Sequence, residues 1–141
     1  MSLHVSFRVG TADYVIPAAE VMHLESFTEA THVPGSPAYV AGLVQVRGKL
    51  VPVVDLRMRF GLEPTERTID SRVIVVKVGA RIVGLLVDSA RDVLGVDETT
   101  YEPPPELIAN QATGFVKAVT TVAKRLMLVV DVPRVIGEEH A

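Results

Sequence analysis

The sequence of 141 residues contains no cysteine. This absence excludes a disulfide framework, a thiolate metal site and a cysteine nucleophile. A basic excess is also lacking, since the formal net charge is −3, whereas proteins that grip nucleic acid by its phosphates usually carry one. No apolar run is long enough to cross a bilayer, and the first residues do not resemble a signal peptide. We therefore expect neither nucleic-acid binding nor direct insertion into a membrane.

The composition favours a globular domain built mainly from strands. Apolar residues make up 48% of the chain, and its length is sufficient to bury a hydrophobic core without disulfides or metal. Valine dominates the aliphatic residues, and β-branched side chains pack well on pleated strands. Many short strands separated by turn signals predict a barrel or a pair of small barrels. We expect residues 1–141 to form one domain, and no period of repeat-protein length is seen.

The most apolar part of the chain predicts a hairpin. Val73–Val78 and Arg81–Val87 flank the dipeptide Gly79-Ala80. Glycine at the first central position suits a type II′ turn. Because both arms are almost wholly apolar, we expect them to lie centrally in a sheet with both faces covered.

A second hairpin is centred on Arg47-Gly48. Its arms are Leu43–Val46 and Lys49–Val54, and Gly48 can take the positive φ that a tight turn needs. Pro52 has no N–H to donate, so we expect the second arm to lie at a sheet edge or to carry a bulge there.

Local signals place the remaining elements. Further strands are expected at Leu3–Val9, Asp13–Ile16, Gly114–Val122 and Arg125–Val130. Short helices are expected over Ala18–Leu24 after Pro17, over Leu56–Phe60 between an Asp55 cap and Gly61, and over Val132–Gly137 after an Asp131 cap. Glu102–Pro105 is expected to be extended and outside any ladder.

Side chains that carry catalysis are sparse. None of the four histidines has a second ligand at helical spacing, so we expect no metal site and no cofactor. The sequence contains neither a nucleophile elbow nor a phosphate-binding loop. Asp55 is the only carboxylate within a dense motif; it could act as a base near Arg57, but an N-cap is the simpler interpretation. The sequence therefore favours a protein that is not an enzyme.

Charges are distributed unevenly along the chain. Residues 47–59 hold four basic side chains and one acid, whereas residues 97–106 hold four acids and no base. Such asymmetry can steer a docking partner, although two solvated faces explain it equally simply, and we favour that interpretation.

The segment Gly42–Leu62 resembles the signature of the CheW family, the adaptor proteins of bacterial chemotaxis. The family pattern runs Gly, two aliphatic residues, Asn-Leu-Arg-Gly, apolar residues, Pro-Val/Ile-x-Asp-Leu-Arg and often Phe-Gly. Here Gln45-Val46 replaces Asn-Leu. Similar blocks occur in order along the whole chain: Phe7–Val21, Val83–Leu94, Glu102–Pro105 and Arg125–Asp131.

The resemblance implies a mainly β fold of two SH3-like five-stranded barrels that share a core, with short helices between strands and at the C-terminus. It also implies a non-enzymatic adaptor without a cofactor. Its partners would be the cytoplasmic tip of a chemoreceptor (a methyl-accepting chemotaxis protein) and the regulatory domain of a CheA-type histidine kinase. The protein would be cytoplasmic, recruited to receptor arrays at the inner face of the membrane, and either monomeric or weakly self-associating.

The resemblance also implies a binding site. Arg47, in its turn with Gly48, corresponds to the family's receptor-facing arginine, a side chain that offers several hydrogen-bond donors. Val21, Met22 and Leu24 would line the groove that takes the receptor helices. Where many members have a Glu-Ile pair, this chain has His23-Leu24, which removes an acid from the receptor side.

Two alternatives remain open. The chain could be a regulatory domain from a histidine kinase, or the N-terminal half of an adaptor–receiver fusion. It could instead be a small enzyme or ligand-binding barrel that uses Asp55 and the neighbouring arginines. An enzyme would need a pocket where Asp55, Arg57 or a histidine converge, whereas an adaptor would show an exposed apolar groove.

Overall fold

The computed structural model describes residues 1–27, 29–105 and 114–137. Strands account for 55% of these described residues. The strands are β1 Ser2–Val9, β2 Ala12–Pro17, β3 Val21–Ser26, β4 Val40–Val46, β5 Lys49–Asp55, β6 Arg72–Val78, β7 Arg81–Val87, β8 Ser89–Val96, β9 Val116–Val122 and β10 Arg125–Val130. The helices are α1 Leu56–Arg59 and α2 Val132–Ile136, with 3₁₀ turns at Ala18–Glu20 and Glu98–Thr100.

The strands form two five-stranded sheets, in the orders β8-β1-β2-β10-β9 and β3-β6-β7-β5-β4. Most neighbours are antiparallel, but β10 pairs with β2 and β5 pairs with β7 in parallel. The mainly β architecture with two five-stranded units is therefore confirmed. Local signals also predict the positions of several elements correctly. These are the strands of the hairpins β6–β7 and β9–β10 and the two capped helices α1 and α2.

The hairpin β6–β7 occupies the centre of its sheet, as its composition predicts. Gly79 takes φ +60 at the turn, and the arms pair without a register shift. Consecutive residues from Val73 to Val76 are at most 1% exposed, so both faces of β6 are covered.

The hairpin β4–β5 is confirmed, but the expectation for Pro52 is wrong. Strand β5 lies between β7 and β4 and is not an edge. The parallel ladder with β7 begins at Val53, one residue after Pro52, so the missing N–H does not interrupt it. The nearby bulge lies in β4, between Val40 and Gly42.

The predicted helix over Ala18–Leu24 is also wrong. Only Ala18–Glu20 forms a 3₁₀ turn, and β3 follows at once. From Val21 onward the side chains alternate between half-buried and exposed positions, and the strand pairs with β6. This pairing outweighs the local helix signal of Pro17. Glu102 departs from expectation too, because it forms an isolated bridge with Val119.

The two halves of the chain repeat one arrangement. Each half runs from a hairpin (β1–β2 or β6–β7) through a third strand (β3 or β8) to a second hairpin (β4–β5 or β9–β10) and a short helix. Each sheet combines the first hairpin of one half with the third strand and the second hairpin of the other half. The halves are therefore intertwined, and neither sheet is made from one half alone.

The repeat extends to register and sequence. Each second hairpin has a bulge at the equivalent position, and each receives an isolated bridge at the equivalent residue, Leu43 or Val119. Both end on the sequence Leu-x-x-Val-Val-Asp, in which Asp55 or Asp131 caps the following helix. Residues of the two halves can thus be matched one to one.

The two sheets share a hydrophobic core. Its fully buried members come from both sheets, among them Phe7 and Ile16 on one side and Ile74 and Leu85 on the other. Each sheet also has a cluster of its own on its other face. Alternate residues of a strand thus face either the shared core or the sheet's own cluster, as the period of a strand requires.

Candidate functional site

The turn Arg47-Gly48 lies against β3, although β3 and β4 are at opposite ends of the strand order. Arg47 Nε donates to Glu25 Oε1 at 3.2 Å. The segment after β3 also reaches β4, where Thr31 exchanges two backbone hydrogen bonds of 2.9 Å with Leu43. The sheet is therefore curled so that its two edges meet, and the predicted site residues of β3 and of the turn lie on the same side.

Arg47 has an unusual backbone conformation. Both central residues of the turn have positive φ, +50 at Arg47 and +82 at Gly48. The left-handed region costs a residue with a Cβ about 1–2 kcal/mol. The Arg47 side chain is 67% exposed, and its two terminal nitrogens make no hydrogen bond within the described part of the chain. A strained, exposed arginine with free donors is typical of a residue kept for binding.

Strand β3 contributes an apolar face beside this turn. Met22 and Leu24 alternate outward and are 41% and 45% exposed, whereas Val21 packs against the shared core. A shallow pocket of about 100 Å³ joins the two elements, and Met22, His23 and Arg47 all line it. The remaining lining residues are Val46, Lys49, Val51, Val75 and Ile82.

Of the residues named from the sequence, the structure thus brings Met22, His23 and Arg47 into one pocket. Gly48 lies exposed at the tip of the turn, and Leu24 lies on the exposed face of the same strand as Met22. Val21 is turned toward the core and does not line the pocket. The arrangement is an apolar and basic surface that suits a helix with apolar and acidic side chains.

The basic cluster of residues 47–59 does not form one charged face. Arg57 Nε donates to both carboxylate oxygens of Asp88, at 2.9 and 3.1 Å. Arg59 donates to carbonyls at the end of α2. Only Arg47 and Lys49 share a surface, that of the shallow pocket.

Asp55 acts as a helix cap. Its side chain is buried and accepts from the backbone N–H groups of Arg57 and Met58, at 2.9 and 3.4 Å, and it forms an ion pair with Arg67. The simpler interpretation of Asp55 is therefore confirmed. The sequence does not indicate that Arg67 pairs with Asp55 or that Asp88 pairs with Arg57, because no local pattern joins either pair.

A pocket of about 470 Å³ lies between the β1–β2 turn and the end of α1. Arg57 lines it, but Asp55 and the histidines do not. This pocket therefore does not bring together Asp55, Arg57 and a histidine, the convergence that the enzyme alternative needs. In residues 1–27, 29–105 and 114–137 no group of three or more histidine, aspartate or glutamate side chains could hold a metal ion.

One buried polar cluster was not anticipated. His4 is fully buried on β1, where its ring bonds the Tyr101 hydroxyl and lies 3.9 Å from the Glu98 carboxylate. Burial raises the pKa of Tyr101 and, across the cluster, that of Glu20. These contacts hold the 3₁₀ turn Glu98–Thr100 against the first strand. The role of the His4 side chain is therefore structural.

A family model described as "CheW-like domain" matches residues 4–140. The chain is 31% identical over 137 residues to the probable chemotaxis protein CheW of Rhizobium etli, covering 97% of this chain and 88% of that protein. It is 33% identical over 136 residues to the chemotaxis protein CheW of Rhizobium meliloti, covering 96% and 88%.

Among solved structures, the chain resembles the scaffolding protein TtCheW from Thermoanaerobacter tengcongensis. The TM-score is 0.88 at 27% identity, over 97% of this chain and 93% of that one. As for membrane spans, none of the helices in the described residues is long and apolar enough to form one.

Proposed function

The chain belongs to the family of CheW-like domains, and from this premise we propose that it is a non-enzymatic adaptor coupling chemoreceptors to a CheA-type histidine kinase. The family to which it belongs consists of adaptors and scaffolds of chemotaxis. The finer statement concerns its partners: the cytoplasmic tip of a receptor and the regulatory domain of the kinase. In this role the protein is cytoplasmic and is recruited to arrays at the inner face of the membrane.

The observation that carries the receptor half of the proposal is the surface shared by β3 and the Arg47-Gly48 turn. It combines the exposed apolar side chain of Met22 with an arginine whose terminal nitrogens donate to no described residue, and Leu24 is exposed on the same strand. Receptor tips are helical, and an amphipathic helix binds by laying apolar side chains into such a surface. Arg47 would then donate to carboxylate or carbonyl oxygens at the edge of the helix.

The family's glutamate at the position of His23 has a substitute nearby. Residues two apart on a strand share a face, so Glu25 lies on the same face as His23. It is Glu25 that binds Arg47 here. We infer that this carboxylate orients Arg47 in the free protein, in place of the missing glutamate.

The direct test is a pull-down with three arms: the kinase regulatory domain alone, a soluble receptor tip alone, and both together. The proposal expects capture of each partner alone and of both in one complex. Capture of either partner only in competition with the other would contradict the bridging role.

One double variant separates the two partners. Met22→Ala with Leu24→Ala removes only exposed side chains, so the fold should persist while capture of the receptor tip falls. Capture of the kinase domain serves as the internal control and should be unchanged. Unaltered receptor capture by this double variant would show that the receptor binds to another surface.

A further inference from the structure

The pocket between the β1–β2 turn and the end of α1 has a counterpart in the other half of the chain, and that counterpart is filled. Ala12 begins β2 and pairs with Val9, just as Arg81 begins β7 and pairs with Val78. Each follows a two-residue turn that opens with a glycine at positive φ. Arg81 is therefore the residue that corresponds to Ala12.

Arg81 binds the end of α2, the helix that closes its own half of the chain. Its guanidinium donates to the carbonyl oxygens of Gly137 at 2.6 Å and Ile136 at 3.4 Å. Arg59 donates to the two preceding carbonyls, those of Val135 and Arg134. Two arginines thus satisfy the carbonyls that the end of α2 leaves without partners in the helix.

The matching end of α1 lacks this arrangement. Phe60 and Gly61 correspond to Ile136 and Gly137, because each pair follows its capping aspartate at the same distance. Within the described ranges no hydrogen bond reaches the carbonyl oxygens of Phe60 and Gly61. Alanine replaces arginine at position 12, and a pocket of about 470 Å³ lies there, lined by Ala12 and Phe60.

The pocket's walls suit a cation with an apolar stem. Tyr14 and Phe60 line it, with ring centroids 5.2 Å apart. Beside the end of α2, the Arg59 guanidinium already lies 3.9 Å from the centroid of the Tyr39 ring, so this fold accommodates a guanidinium on an aromatic face.

The charges around the pocket are also complementary. The exposed Glu63 is the only acidic side chain among the lining residues, and its carboxylate takes part in no ion pair with a described residue. The charge of Arg57, which also lines the pocket, is already matched by Asp88. An entering cation therefore meets one free carboxylate and one neutralised arginine.

We propose that this pocket, between the β1–β2 turn and the end of α1, binds an arginine side chain of a protein partner. The guanidinium would take the place that Arg81 occupies in the other half and donate to the carbonyls of Phe60 and Gly61. The aliphatic stem would pack on Tyr14 and Phe60. This site is separate from the surface of β3 and Arg47.

The first test is a titration of the wild-type chain followed by amide chemical shifts. The probe is Nα-acetyl-arginine amide, and the control is Nα-acetyl-citrulline amide, which has the same shape without the charge. We expect saturable shifts at Gly10, Thr11 and Ala12 with the arginine probe and none with citrulline. Equal shifts with both probes, or none with arginine, would overturn the proposal, as would tighter binding of free L-arginine than of the blocked form.

The second test adds an arginine at position 12 and removes the arginine at the equivalent position 81. Ala12→Arg should supply the guanidinium from the chain itself, raise the melting temperature and abolish the shifts caused by the probe. Arg81→Ala is the matched control: it should lower the melting temperature and create a second probe site at the end of α2. Undiminished probe binding by a folded Ala12→Arg variant would show that the probe binds elsewhere.

Discussion

Replacing Arg47 by asparagine should separate the stability of the protein from its binding. Arg47 holds a left-handed conformation at φ +50, in a turn completed by Gly48. Asn-Gly is the sequence that such hairpin turns prefer, because asparagine tolerates this conformation. The substitution therefore improves the turn while it removes the guanidinium.

The expected change in stability is small because two effects oppose each other. Relief of the left-handed strain is worth about 1 kcal/mol, the lower end of the range for residues with a Cβ. Loss of the ion pair with Glu25 costs about 0–1 kcal/mol, since the arginine is 67% exposed. We expect the free energy of unfolding to stay within about 1 kcal/mol of wild type, as measured by urea denaturation.

The expected change in binding is larger. A hydrogen bond from a charged donor contributes about 1.5–3 kcal/mol. Its loss should weaken capture of a receptor tip roughly tenfold to hundredfold, which titration calorimetry would measure. Wild-type affinity in the Arg47→Asn variant would refute the assignment of Arg47 as a binding residue.

The repeat provides a matched control for this experiment. Ala123 corresponds to Arg47 and has φ +51, but it lies in the other sheet. Ala123→Asn should stabilise the protein by up to about 1 kcal/mol through the same relief and leave receptor binding unchanged. A loss of binding in this variant would show that the turn of the other sheet takes part in receptor binding.

Three further predictions concern the fold. Burial opposes ionisation of Asp13, but hydrogen bonds from Arg8 and Arg125 outweigh it and hold its pKa below the ordinary value of 3.8. Asp13→Asn should therefore destabilise the protein at pH 7, and thermal melts across pH should show the difference from wild type shrinking as the pH falls below that ordinary value. Leu85→Ala should cost about 2–5 kcal/mol and leave a single denaturation transition, and two separate transitions would contradict one domain. Arg59→Lys should cost about 1–3 kcal/mol, because lysine cannot reproduce its forked donation to α2; an unchanged urea midpoint would contradict this.

Local signals predict much of this fold. The turn at Gly79 and the helix caps at Asp55 and Asp131 are predicted correctly, because turns and caps depend only on neighbouring residues in the sequence. The helix expected after Pro17 failed for the opposite reason. Val21–Ser26 forms a strand since it pairs with β6, and that pairing is invisible from the local sequence.

For the candidate site, the sequence indicates individual residues but not the contacts between them. The family resemblance indicated Arg47 and the residues of β3, whereas the contact from Arg47 to Glu25 joins residues 22 positions apart. The repeat is weak in the sequence because matched positions keep their shape and role more than their identity, as Tyr39 and Phe115 do. Each of these accepts, through its carbonyl, the N–H of a capping aspartate.

The intertwining of the two halves has a consequence for synthesis on the ribosome. When only the first half has emerged, β1–β2 lacks its neighbours β8 and β10, and β3 and β5 lack β6 and β7. Chains emerge at about 5–20 residues per second, so these edges wait for seconds before they can pair. The nascent first half thus exposes unpaired strand edges, which are the sites where strands of two chains can pair and aggregate.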